Sequence, residues 1–197
     1  ARSAYKLQEL DEKYDIIKPN SVIVDCGASP GSWSQYTSRK LFPNAGFLEI
    51  EETQNDGSRN SGLIVAIDLF HIEPIAGVNT IQGDFTEAKT QENIRNLLEE
   101  REVDVVLSDL APKFTGIHFV DHTRSMELCE SSFSFAQQVL KPGGAYLCKF
   151  IMGGTELEFR NILKTMFEIV RHEKPQASHK ESTEGYYVCL GYKETPN

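Results

Sequence analysis

No run of apolar residues in this sequence approaches the roughly 18 needed to cross a bilayer, so no membrane insertion is expected. Cysteine is sparse, and Cys26, Cys129, Cys148 and Cys189 form no Cys-x-x-Cys pair. That argues against a zinc ribbon or a dithiol centre and for reduced, buried thiols in a reducing compartment. Basic residues are outnumbered, 20 against 29 acids, giving a net charge of -9. Such a balance disfavours a protein that coats nucleic acid with its whole surface, but it leaves room for a local basic site. Gly-x-Gly-x-x-Gly is missing, which removes the usual support for a nicotinamide dinucleotide. Internal repeats are missing too. What is present, 40% apolar and 25% charged residues in a chain of 197, suits one well-cored domain over residues 1–197. A monomer is expected. Ala1 in place of Met implies that an N-terminal piece, where a targeting segment would sit, has been removed.

The chain is organised around Val22 to Trp33. Val22-Ile23-Val24-Asp25-Cys26 reads as a buried strand, and Gly27-Ala28-Ser29-Pro30-Gly31 as a turn of small residues. Ser32-Trp33 then opens a helix that stops before Pro43. Strand, glycine turn and helix begin a nucleotide-binding α/β unit, in which small residues let a ligand approach the backbone. The spacing Gly-x-x-x-Gly, with an acid two residues before the first glycine, points to S-adenosylmethionine.

Upstream, Leu7, Leu10, Tyr14 and Ile17 share one face of a helix expected over residues 3–17, with Lys6 off that stripe. Downstream, strands are expected at 63–68, 80–85, 103–108, 145–150, 169–172 and 186–192. Helices are expected at 91–101, 124–140 and 156–167, and Lys141-Pro142-Gly143-Gly144 reads as a turn. Phe47 to Ile50 could extend a strand, and the polar stretch 51–61 reads as a flexible exposed loop insertion. Strand–helix alternation implies an α/β, Rossmann-like fold with a mostly parallel seven-stranded sheet covered on both faces.

Ligands of such sheets bind beyond the carboxyl ends of the strands. Asp25, Asp68, Asp84 and Asp109 all fall at or near such ends. Each alone is an ordinary turn or cap acid. Together they outline an adenosine pocket, with Asp68 for a ribose diol and Asp84-Phe85 for an adenine. Lys149 interrupts the apolar strand Ala145-Tyr146-Leu147-Cys148-Lys149-Phe150, and lysine is seldom buried without a partner. Lys6 by itself reads as a solvated lysine, and Glu184 as a strand-edge acid. His118 and His122 could share a helical face, but two ligands do not make a metal site, and no metal is expected.

Asp25-Cys26-Gly27-Ala28-Ser29-Pro30-Gly31-Ser32-Trp33-Ser34-Gln35 and Ser108-Asp109-Leu110-Ala111-Pro112 resemble the FtsJ-type RNA ribose 2′-O-methyltransferases. Lys141-Pro142-Gly143-Gly144 with Lys149, and the opening Arg2-Ser3-Ala4-Tyr5-Lys6-Leu7, fit the same family, so the similarity runs over nearly the whole chain. Ser29 and Ser32 stand where the pattern often has Ala and Gly. The resemblance implies the class I methyltransferase fold and a Lys-Asp-Lys-Glu tetrad on Lys6, Asp109, Lys149 and Glu184. It implies S-adenosylmethionine as methyl donor, held around Asp25, Gly27, Ala28, Pro30, Gly31, Trp33, Asp68, Asp84, Phe85 and Asp109. The segments 68–72 and 174–182 are most similar to the mitochondrial large-subunit rRNA branch. That similarity implies a uridine of that ribosomal RNA as substrate, free or within a large-subunit precursor particle, and the mitochondrial matrix as location, with cytoplasm or nucleus as alternatives. Arg2, Lys6, Arg39, Lys40, Lys113, Arg171, Lys174 and Lys180 are the candidates for local positive potential toward RNA. The rival readings are a cap 2′-O-methyltransferase, a nicotinamide-dependent oxidoreductase and a non-catalytic RNA-binding subunit.

Overall fold

A computed structural model describes residues 1–43 and 61–194. The strand extension at Phe47 to Ile50 and the loop expected at 51–61, apart from Ser61, lie outside the described residues. In chain order the elements are α1 (Arg2–Tyr14), β1 (Val22–Cys26), α2 (Ser32–Leu41), β2 (Leu63–Asp68), β3 (Val78–Gln82) and α3 (Ala88–Leu98). They continue with β4 (Val103–Ser108), α4 (His118–Val139), β5 (Leu140–Ile151), α5 (Glu156–Met166), β6 (Phe167–Glu173) and β7 (Glu184–Tyr192). The strands form one seven-stranded sheet in the order β3-β2-β1-β4-β5-β7-β6. Pairing is parallel from β3 to β5, while β7 runs antiparallel to both β5 and β6. The strand order reverses between β1 and β4, which places the ligand crevice beside Gly27 and Asp109.

Alternation along the strands divides the core into two layers. Val22, Val24, Tyr146, Cys148, Phe150, Tyr187 and Cys189 face the layer covered by α3, α4 and α5. Ile23, Val105, Leu107, Ala145, Leu147, Tyr186 and Val188 face the layer covered by α1 and α2. All four cysteines are buried free thiols, Cys129 on α4 and the other three on strands. Tyr146, whose hydroxyl donates to Cys129 O at 3.1 Å and shares Ser132 Oγ, keeps its polar tip satisfied inside the core.

Several boundaries differ from the sequence expectation. Helix α1 ends at Tyr14 rather than residue 17, with Asp15 left-handed at φ 50°. The buried Asp11 carboxylate draws the chain out of the helix by accepting the Ile17 amide at 2.8 Å. Helix α3 spans 88–98 instead of 91–101, closed by Glu99 and Glu100 at positive φ. Helix α4 begins at His118, six residues before the expected Arg124, because Asp121 gathers the preceding turn. Strand β3 covers 78–82, so Asp84 lies in the turn after it. The Lys141–Gly144 turn is absorbed into β5 as an irregularity, where pairing to β4 shifts register between Val103 and Val105.

Asp11 also accepts from the Tyr36 hydroxyl and the Lys40 ammonium, each at 2.7 Å, tying α1 to α2. Asp11→Ala strands the Ile17 amide and the Tyr36 hydroxyl, and is expected to cost about 3 kcal/mol. Lys40 contributes little to that figure because it is partly solvated. Urea denaturation checks it; a shift below about 1 kcal/mol would show that water replaces the carboxylate.

Candidate functional site at the carboxyl edge of the sheet

Strand parity explains how distant residues meet. Asp109 continues the Val105, Leu107 alternation of β4, and Lys149 the Ala145, Leu147 alternation of β5. Both therefore project toward the α1 layer at the carboxyl end of the parallel strands. Strand β7 starts where those strands end, because it is antiparallel, so Glu184 pairs with Ile151 and shares the face of Tyr186 and Val188. Helix α1 lies over that face and lowers Ser3 and Lys6 onto it.

The resulting contacts alternate in charge. Lys149 Nζ lies 3.1 Å from Asp109 Oδ1, and Lys6 Nζ donates to Glu184 Oε2 at 3.1 Å. Ser3 Oγ donates to Asp109 Oδ2 at 3.3 Å. Both amine groups are largely withdrawn from solvent, with side chains 15% (Lys6) and 12% (Lys149) exposed. Burial raises the Asp109 carboxyl above the usual carboxylate range, against the opposing pull of Lys149. The Tyr186 hydroxyl is held up by its own burial and by Asp109 beside it. Two amines and two carboxyls within one small volume partner one another, and the exposed side of the cluster opens into a crevice.

That crevice is a cavity of about 300 Å³ whose wall includes Gly27, Asp68, Asp84, Phe85, Asp109 and Lys149. Among the sequence-expected ligand residues, five of these (Gly27, Asp68, Asp84, Phe85 and Asp109) thus converge. Asp25 sits beneath the wall, accepting from Ser34 Oγ at 2.7 Å, while its buried Oδ1 has no protein partner. Burial pushes the Asp25 carboxyl up to about 7, with Asp109 and Asp68 adding to the rise. A cationic ligand would meet three acids in the wall and a fourth just behind it.

The other four do not line the cavity. Ala28 is buried against Ala66 and Ile72, Pro30 is exposed, and Gly31 caps α2. Trp33 is 2% exposed, its indole N–H donating to Ser3 O at 2.9 Å, so its ring belongs to the α1 layer and is no ligand platform. Phe85 corrects the expectation of ring stacking in another way. Its ring is 3% exposed and packs edge-on against Phe135 at 5.4 Å, so only its margin reaches the cavity. The exposed ring there is Phe70, at 72%. Sequence reading missed Phe70, Ser29, Leu110 and Leu128; the signal for Phe70 was its place two residues after a strand-end acid. Ser3 was missed as well, although it precedes Lys6 by one helical step of three.

Asp68 and Asp84 also do local work. Asp68 accepts the Ser29 and Phe70 amides, both at 2.9 Å, and Asp84 Oδ1 accepts the Thr86 amide at 2.9 Å. These are the turn roles that such acids commonly fill, and they orient the carboxylates without exhausting their lone pairs. The two histidines do not pair. His122 is buried with Nδ1 2.6 Å from Ile151 O and Nε2 2.7 Å from Thr155 Oγ1, while His118 is exposed. Among the described residues, no group of three or more His, Cys, Asp or Glu is placed to hold a metal. Of the basic candidates, Lys40 is committed to Asp11, Arg2 contacts His179 and Lys174 donates to Ser182 O. A larger groove of about 680 Å³ runs along α1 past Arg2, Tyr5 and Ala177, but none of the converging acids or lysines lines it. The acids and Lys149 converge on the smaller crevice.

Residues 1–192 match the model of the FtsJ-like methyltransferases. A ribosomal RNA large subunit methyltransferase E from Rickettsia akari is 43% identical over 193 residues, covering 98% of this chain and 79% of the relative. The protein of the same name from Burkholderia ambifaria is also 43% identical, over 98% of this chain and 86% of its own. The crystal structure described as a putative ribosomal RNA methyltransferase from Plasmodium falciparum superposes with a TM-score of 0.79 at 32% identity, covering 98% of this chain and 97% of that one. With the site geometry and these relatives together, the chain belongs to the FtsJ-like methyltransferase family, enzymes whose methyl donor is S-adenosylmethionine.

Proposed function

We propose that this enzyme methylates a ribose 2′-hydroxyl of large-subunit ribosomal RNA, using Lys149, Asp109, Lys6 and Glu184 as one unit. The observation that carries this reading is the pairing of Lys149 with Asp109 at 3.1 Å where the donor crevice meets the α1 face. S-adenosylmethionine supplies an electrophilic methyl on sulfur. Asp68 is suited to a ribose diol and Asp84 to an exocyclic amine, since carboxylates accept from both. The unpartnered Asp25 Oδ1 and the acids of the wall suit a donor that is itself a cation.

A ribose hydroxyl is a weak nucleophile until its proton is drawn off. Lys149 faces the acceptor side and takes that proton on Nζ as the neutral amine, and the ammonium so formed is held by Asp109 beside the developing alkoxide. Ser3 steadies the second Asp109 oxygen, and Lys6, fixed by Glu184, sets positive potential beside the incoming oxygen. Holding the hydroxyl in line with the methyl can remove roughly 7–11 kcal/mol from the barrier. The names of the Rickettsia and Burkholderia relatives support ribosomal RNA as substrate. The likeness of segments 68–72 and 174–182 to the mitochondrial branch supports a uridine of the mitochondrial large-subunit RNA, and with it the matrix. Single-turnover methylation of large-subunit rRNA, with mapping of the modified ribose in cells lacking the protein, tests all of this. Methyl incorporation into bases, or none into rRNA, would refute it.

Asp84→Ala is expected to weaken S-adenosylmethionine binding by about 1.5–3 kcal/mol through loss of a charge-assisted hydrogen bond. Because Asp84 also holds the Thr86 amide and hydroxyl, the melting temperature should fall as well, unlike that of an acid serving the ligand alone. Calorimetry beside a melting curve separates the two effects, and unchanged affinity in the folded variant removes Asp84 from the pocket.

A further inference from the structure

The segment between β4 and α4 leaves the crevice at Leu110 and Ala111, which line it beside Asp109 and Lys149. It then places three large apolar side chains in water: Phe114 at 60%, Ile117 at 61% and Phe119 at 76% exposure. Isolated exposed apolar residues need no explanation, but three within six positions, beside a reaction centre, do.

This segment is held in shape by polar groups, not by burial of its own side chains. Residues 113–119 are all exposed, yet the buried Asp121 accepts from the Thr115 amide and hydroxyl at 2.8 Å each and from the Gly116 amide at 3.1 Å. Thr115 Oγ1 in turn accepts the Ile117 amide at 3.1 Å, and Arg124 donates to Lys113 O. The backbone hydrogen bond from Thr115 is the main reason that the Asp121 carboxyl lies below the usual carboxylate range. An acid thus fixes a loop whose display of apolar side chains is unfavourable in water. Such preorganisation is useful when a partner takes up the displayed surface.

Charge identifies the partner. From Leu110 to Met126 the sole acid is Asp121, which is buried and engaged, whereas Lys113, His118 and Arg124 are exposed. On a chain of net charge -9 this is a locally positive rim, with Glu127 the next acid along α4. Rings among cations suit single-stranded nucleic acid, in which bases stack on aromatics while phosphates meet Lys and Arg. A protein partner would not need the cations, and it would sit less naturally against the acceptor side of the crevice.

We propose that Phe114 and Phe119, backed by Ile117, form a stacking platform for unpaired bases next to the ribose that is methylated. This inference rests on the RNA-methylating reading above, and it adds that the target nucleotide is presented in a single-stranded or splayed-out region.

The test uses the whole protein with a single-stranded RNA oligonucleotide carrying 2-aminopurine, whose fluorescence falls when it stacks. Phe114→Ala and Phe119→Ala should each weaken binding about 10-fold and reduce the quench, leaving S-adenosylmethionine affinity and the melting curve unchanged. Phe→Tyr at either site should retain the quench and Phe→Leu should not, because stacking needs the ring and not merely apolar area. The salt dependence of binding should stay as in the wild type, whereas Lys113→Ala should lower its slope by about one. Four results are decisive. Unchanged oligonucleotide binding in the double Ala variant overturns the platform. Full rescue by Leu overturns it in favour of plain apolar docking. Loss of methylation on ribosomal particles, with naked rRNA and oligonucleotide unaffected, overturns it in favour of a protein partner. A wild-type protein that quenches the probe through Phe114 and Phe119 yet methylates no rRNA upholds the platform and refutes the functional reading.

Discussion

Lys149→Ala is expected to abolish methyl transfer to RNA while leaving S-adenosylmethionine affinity within a few-fold of wild type. The amine is 3.1 Å from Asp109 on the acceptor side, and the cavity also offers the donor Gly27, Asp68 and Asp84, none of which depends on Lys149. General acid–base assistance alone is worth about 10²–10⁴ in rate, and losing the positive partner of the developing alkoxide adds to that. Removing the lysine also leaves Asp109 buried with one oxygen held only by Ser3. The carboxyl, already raised by burial, then loses the main influence that lowers it. Its ionisation should therefore move to higher pH, and any residual activity should rise later on the pH axis than in the wild type. Lys149→Arg should recover little if proton removal is the main role, since guanidinium stays protonated and has a different shape. The measurement is single-turnover methylation of large-subunit rRNA beside a donor titration and a melting curve. Near-normal turnover in a folded Lys149→Ala protein would sink the mechanism, and joint loss of donor affinity and stability would assign Lys149 a structural role.

Gly27→Ala should be nearly as damaging, for a steric reason. Gly27 has φ 76°, and a Cβ there would lie 2.8 Å from Leu110 N and 2.9 Å from Leu110 Cα. These are backbone atoms of the segment that carries Asp109, so no rotamer change relieves the contact. The segment cannot simply move away, because Asp109 N donates to Cys26 O at 2.9 Å and Gly27 N to Ile67 O at 2.9 Å. The left-handed backbone alone costs a non-glycine residue about 1–2 kcal/mol, and the clash comes on top. A shift of Asp109 would disturb the donor wall and the Lys149 pairing together. We expect at least a 10-fold loss of donor affinity, on the order of 1.4 kcal/mol, and at least about 10²-fold in rate, since misplacement by an ångström can cost that much. Donor calorimetry and the same turnover assay measure both. Wild-type values in both would mean that the Gly27–Leu110 approach has no part in shaping the site.

Much of this protein is legible in one dimension. The β-branched runs Val22–Cys26, Leu63–Asp68 and Val103–Ser108 coincide with strands because four or more apolar residues bounded by turns have few other places to go in a sheet buried on both faces. The acids that end or follow those strands fall at the ligand crevice because a parallel sheet has one functional edge. Lys149 advertised itself as a charge inside an apolar strand. Helix limits were less legible. They were set by side chains reaching around a corner: Asp11 captures the Ile17 amide, and Asp121 captures those of Thr115 and Gly116. Such captures depend on a carboxylate being buried, which local propensity does not encode.

Other features were decided by tertiary structure alone. That Lys6 meets Glu184, 178 positions away, follows from α1 folding over the sheet and from β7 running antiparallel into the gap between β5 and β6. Read locally, one residue is a solvated lysine and the other a strand-edge acid. Packing also reassigned the rings. Trp33 and Phe85 are both expected beside the ligand, Phe85 by packing on its ring, yet both side chains are drawn into the core, whereas Phe70, Phe114 and Phe119 remain in water. The physical reason is that the hydrophobic effect has no direction of its own. Sequence determines which side chains must leave water or meet a partner, and only the fold decides which of them find a core to enter.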